Sequence, residues 1–182
     1  MTIQAPDFIY LGKKQYTLID IEAGKQIIDC AAFAMPDHNR KIGISSACWR
    51  GYTANYYVVR KILYGVKSHI IFFEDSKYEK ITSLRTMIPY TGSCIIAHGS
   101  RWISDFISTY TYFDEALELF FEQGVLKEKL SLISAIEKAR SIRETDEYNN
   151  KMEPYERGRL IEQIAREPLK YRYDRRTYKW RN

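Results

Sequence analysis

Residues 46–59, "SACWRGYTANYYVV", decide how the chain reads. A tryptophan, an arginine and a glycine stand ahead of three tyrosines and two valines. At a spacing of two, Cys48, Arg50, Tyr52, Ala54, Tyr56 and Val58 fall on one face. Trp49, Gly51, Thr53, Asn55, Tyr57 and Val59 fall on the other. Both faces mix apolar and polar residues, as in a central strand of a curled sheet. Gly51 marks a bulge or the close approach of another backbone. Arg60 and Lys61 then turn the chain into "ILYGVKSHIIFF" (62–73), rich in β-branched and aromatic residues.

Hairpin patterning continues on both sides. "DFIYLGKKQYTLID" predicts strands at Phe8–Leu11 and Gln15–Ile19 around a turn at Gly12. "AGKQIIDCAAFAMPDHNRK" (23–41) is ambiguous: Ile27, Ile28, Ala31 and Ala32 are at helical spacing, and Pro36 ends the run. "EDSKYEK" (74–80) reads as a polar loop and "ITSLRTMI" (81–88) as a short strand stopped by Pro89. "IPYTGSCIIAHGSRWISDFISTYTYF" (88–113) reads as a long loop or a broken strand pair. For residues 114–133, propensity leans towards helix, while Leu117, Leu119 and Phe121 equally suit a strand turning at Gly124. "SAIEKARSIRE" reads as a helix capped by Ser134. "PYERGRLIEQIARE" is a helix with Pro154 in its first turn and a stripe of Leu160, Ile161, Ile164 and Ala165; Pro168 stops it.

Four stretches carry a resemblance. "ACWRGYTANYYVVRKILYGV" resembles the A-x-W-R-G-Y segment of a family of small bacterial proteins, in which that strand hairpins back through an L-Y-L strand. "FIYLGKKQYTL" is similar to the family's opening hairpin, and "IPYTG" with the later His98 to its I-P-x-G segment. "EALELFFEQGVL" is similar to its final F-E-x-G hairpin. The resemblance spans roughly residues 8 to 130 and implies a hairpin at 116–130. It implies a fold and assigns no catalytic role. The expected architecture is α+β: a mostly antiparallel multi-hairpin sheet or open barrel followed by C-terminal helices. Residues 1–150 would form one β-rich domain, and 151–182 a helix and basic aromatic arm.

Composition bounds the function. The 182 residues are 45% hydrophobic, enough for one packed core. No basic leader and no long apolar window are visible, so the expected location is cytoplasmic and no membrane contact is expected. Cys30, Cys48 and Cys94 are odd in number and form no C-x-x-C pair, which suits buried free thiols. Residues 1–150 hold 18 Lys+Arg against 18 Asp+Glu, and residues 151–182 hold 10 against 5. The whole net charge of +5 therefore lies in the last 32 residues.

Catalytic signatures are sparse. His38, His69 and His98 lie far apart, and Cys94 with His98 has no second ligand pair, so neither metal nor cofactor is expected. Cys94, His98 and Asp105 could form thiol, base and orienting acid of a small enzyme. Asp114–Glu115 and Glu74–Asp75 read as solvated pairs. The favoured expectation is a non-enzymatic bacterial protein that occludes a protein partner with an acidic surface, an immunity protein against a toxin being the specific form. Its expected contacts are Trp49, Arg50 and Tyr52, which offer a π face and a cation, with Arg172, Tyr173, Arg175, Arg176, Tyr178 and Trp180. The alternative is nucleic acid bound through residues 169–182, where six cations interleave with aromatics. Six phosphate contacts on one strand would give a salt slope of roughly −4.

Overall fold

The computed structural model describes residues 7–23, 25, 27, 52–71, 78–99, 109–171 and 173, with backbone alone for 52, 66–71 and 78–85. Eight strands form one sheet: β1 (Phe8–Leu11), β2 (Lys14–Ile21), β3 (Tyr52–Val59), β4 (Ile62–Ile71), β5 (Tyr78–Met87), β6 (Gly92–His98), β7 (Glu115–Glu122) and β8 (Val125–Ser131). Their order is β3-β1-β2-β6-β7-β8-β4-β5, and β3 also pairs with β4. Seven strands thus close into a barrel, with β5 continuing outward from β4. All pairs are antiparallel except β1 with β3. The architecture is α+β with a barrel, closed where a sheet or an open barrel was expected, and mixed because of that one parallel pair.

Two cores follow from the two faces of the barrel wall. Ile9, Tyr56, Leu63, Ile96, Leu119 and Phe121 fill the interior. Outside β6 and β7, Ile95, Ala97 and Ala116 meet Leu132, Ile136, Ile161 and Ile164 from the helices. Strand β7 is therefore covered on both sides, and this overrides the helical propensity of residues 114–133. A helix there could not serve two layers at once, whereas period-two alternation sends Leu117, Leu119 and Phe121 inward and Ala116 and Glu118 outward. Each such aliphatic or aromatic side chain contributes about 1.5–3 kcal/mol when fully buried. The hairpin turns at Gln123–Gly124, where φ is +48° and +77°.

Other expectations meet the structure unevenly. The 8–21 hairpin forms around Gly12 as expected. The faces of β3 are less mixed than the alternation implies: Ala54, Tyr56 and Val58 are buried, while Val59 is exposed. The polar stretch at 74–80 is already strand from Tyr78, because β4 supplies a ladder partner. Within the 88–113 stretch expected as a loop or broken pair, β6 is a continuous strand, buried from Gly92 to Ala97 and flanked by β2 and β7, while residues 100–108 lie outside the described residues.

Helix α1 (Ile133–Arg143) begins before Ser134, so that serine lies inside the first turn and Leu132 takes the boundary. Arg143 closes its far end, donating to the Thr111 carbonyl (3.0 Å) and hydroxyl (2.8 Å) and lying 3.8 Å from the Tyr112 ring centroid. A π-helical turn at Glu147–Lys151 leads to α2 (Pro154–Arg166). There Glu153 and Glu156 form a reciprocal capping box with Pro154 in the first turn. Ile161, Ile164 and Ala165 enter the same outer core as α1, so packing is continuous across residue 150.

Candidate functional site

The C-terminal segment meets the body around a buried carboxylate. Strand β7 turns Glu118 outward beneath the helices, leaving it 1% exposed. A carboxylate at that depth requires donors for its lone pairs. Three come from the chain end: the Lys170 amide (3.0 Å), the Tyr171 amide (3.2 Å) and the Tyr173 hydroxyl (2.9 Å). The contacts continue outward along the hairpin. The Tyr171 ring stacks on Phe120 at 4.9 Å and 7°, and the Lys170 ammonium donates to both oxygens of Glu128 at 2.8 and 2.6 Å. Burial pushes the Tyr173 phenol well above the ordinary tyrosine range.

Tyr173, expected as a partner contact, therefore points into the molecule and is 7% exposed. It anchors the segment from Lys170 to Tyr173 rather than presenting a surface. Arg172, Arg175, Arg176, Tyr178 and Trp180 lie outside the described residues, as do Trp49, Arg50 and Asp105. Tyr52 opens β3, with only its backbone described.

Cys94 and His98 do not come together. They stand four positions apart on one strand, about 13 Å at the usual strand rise. The thiol is fully buried between the Leu119 and Ile21 register positions. Burial, reinforced by the charge of Glu118, pushes it far above the ordinary thiol range, opposite to what a nucleophile requires. The cysteine behaves as a small core residue.

His98 belongs instead to a polar cluster at one mouth of the barrel. Its Nδ1 lies 2.7 Å from the Gln15 carbonyl oxygen, which fixes Nδ1 as the protonated nitrogen. Its ring lies 5.6 Å from that of Tyr16. The Tyr16 hydroxyl donates to Glu115 Oε1 at 2.8 Å, and the Lys14 ammonium donates to Glu115 Oε2. The hydrogen bond from Lys14 holds the Glu115 carboxyl below its usual range, with Tyr16 adding to the effect and burial opposing it. Glu115 is thus paired, not merely solvated as its charged neighbourhood implied. The cluster satisfies itself and ties β2, β6 and β7 at one end.

Sequence reasoning missed Glu118 as well. Its signal was available once a strand was accepted: a lone carboxylate among Ala116, Leu117, Leu119 and Phe120, where a solvated residue has no place.

Among the described residues, no group of three or more His, Cys, Asp or Glu side chains gathers at metal-binding range. No described helix is long and apolar enough to cross a membrane. Comparison with protein-family models, with curated proteins and with solved structures returns no match.

Proposed function

We propose that the chain is a non-enzymatic binding protein that occludes an acidic surface of a protein partner, with an immunity protein against a toxin as its specific form. The observation that carries the reading is the docked root at Lys170–Tyr173. Residues 1–150 are neutral in sum, and the cationic excess follows them. Glu118, Phe120 and Glu128 give that excess a fixed point of departure. An arm whose origin is ordered loses less entropy on binding than one free along its length. The sealed Cys94 supports a binding role over thiol catalysis.

The test is capture from a bacterial lysate on the immobilised full chain, with and without nuclease. An acidic protein retained in stoichiometric amount after nuclease treatment, and released by salt, supports the reading. Recovery of nucleic acid alone, abolished by nuclease, removes it. For the immunity form, the partner must be a toxin whose activity the full chain suppresses.

The nucleic-acid reading keeps one specific feature, the interleaving of cations with Tyr178 and Trp180. Lys170 is already paired with Glu128, so five cations remain at 172, 175, 176, 179 and 181. The corresponding salt slope for a single strand falls to roughly −3.5.

A further inference from the structure

On the side of the barrel away from β6 and β7, one row of side chains crosses four strands. Tyr10 of β1 pairs with Tyr57 of β3, Tyr57 with Tyr64 of β4, and Tyr64 with Met87 of β5. Their neighbours Ile9, Tyr56, Leu63 and Ile88 are buried inside, so strand alternation sends the row outward. The rings of Tyr10 and Tyr57 stack at 4.4 Å and 8°. The three tyrosines are half-buried, and Met87 and nearby Val59 are 41% and 51% exposed. No described helix packs over this face in the way that α1 and α2 cover β6 and β7.

One end of the row is cationic. The parallel register of Leu11 with Val58 sets the turn at Gly12–Lys13 beside that at Arg60–Lys61. Lys13, Arg60 and Lys61 are exposed and form no ion pair with another described residue. Arg60 and Lys61 have φ of +49° and +67°. A two-residue hairpin turn of this hand favours Asn-Gly, whereas two long side chains adopt it at a cost in strain. Folding alone does not call for arginine and lysine there.

We propose that this face is a docking surface for a protein partner, with Tyr10, Tyr57, Tyr64 and Met87 as its apolar floor and the three cations as its rim. The partner carries an apolar patch bordered by carboxylates. Tyrosine, methionine and arginine are the side chains that anchor protein interfaces, and charge complementarity selects an acidic rim. A second copy of this chain would bring the same three cations against themselves. Unpaired bases need open ring faces, whereas Tyr10 and Tyr57 cover one another. The proposal rests on the binding-protein reading and adds a contact on the barrel wall to that of the C-terminal cations.

The experiment titrates the isotopically labelled full chain, followed by NMR, with a short synthetic peptide alternating Asp or Glu with Leu or Phe. A polyglutamate and an oligothymidylate serve as comparisons. Saturable shifts at Tyr10, Tyr57, Lys13, Arg60 and Lys61 with the mixed peptide are expected. The double variant Arg60→Asn, Lys61→Gly is expected to bind about tenfold more weakly while melting at a higher temperature, a combination that a purely structural turn would not give. A chain ending at Tyr173 should bind the peptide as the full chain does. Shifts confined to other surfaces, an unchanged affinity of the double variant, or displacement of the peptide from this face by oligothymidylate would each overturn the proposal. Peptide binding lost only on removing residues 174–182 would also overturn it while leaving the acidic-partner reading standing. Binding lost to neither change would count against both.

Discussion

The Tyr173 hydroxyl reaches the Glu118 carboxylate at 2.9 Å, joining the C-terminal segment to β7 in the helix-covered wall. Since Glu118 also accepts two amide hydrogen bonds from the same segment, root and strand stabilise each other. Glu118→Ala leaves those donors unpaired and should cost about 2–4 kcal/mol in denaturant unfolding. Tyr173→Phe removes only the hydroxyl and should cost about 1.5 kcal/mol. In the double variant the effects should fall short of their sum, the sign of a direct coupling. Strict additivity would separate the two residues energetically.

The mouth cluster gives a pH dependence with a definite sign. The folded carboxyl of Glu115 is depressed, chiefly by the hydrogen bond from Lys14. Its contribution to stability is therefore complete above the unfolded carboxylate value near 4.3 and is lost as pH falls through the lower folded value. Unfolding of the wild type and of Glu115→Gln should differ at neutral pH and converge in acid. The gap should stay within about 1 kcal/mol, as solvent and salt screen a partly exposed pair. A gap that widens in acid would reverse the assignment.

Cys94 should be chemically silent in the folded state. Alkylation read by peptide mass spectrometry should label it only after denaturant is added, because its thiol is buried and its thiolate disfavoured. Rapid labelling of the native chain at Cys94 would reopen the enzyme reading.

Gly124 tests the hairpin that propensity obscured. At φ +77° an added Cβ would lie 2.2 Å from the Ile88 carbonyl oxygen, a backbone atom with little room to move. Gly124→Ala should destabilise by at least about 2 kcal/mol. A neutral effect in thermal unfolding would mean that the β7–β8 turn is not as described.

Legibility followed the burial of each element. The 8–21 hairpin and α2 were readable because each has one apolar face and one wet one, so periodicity and caps agree. Strand β6 reads in the sequence as a loop or broken pair and β7 only as one of two alternatives, since a wall buried on both sides shows no clean alternation. Cys94 and His98 looked like a pair because sequence records separation but not the extended backbone that holds them apart. Glu118 escaped because its donors arrive from more than 50 residues later in the chain. The charge division was visible in the sequence, but the place where its cationic part attaches was not.

On the proposed reading the cations beyond Tyr173 contact the partner, and they follow the segment that Glu118 binds. The most direct measurement compares the captured partner's affinity for the full chain and for a chain ending at Tyr173, across a series of salt concentrations. Binding at least about tenfold weaker and a shallower salt slope are expected for the shorter chain, with its melting temperature unchanged. Equal affinity and equal salt dependence of the two chains would contradict it.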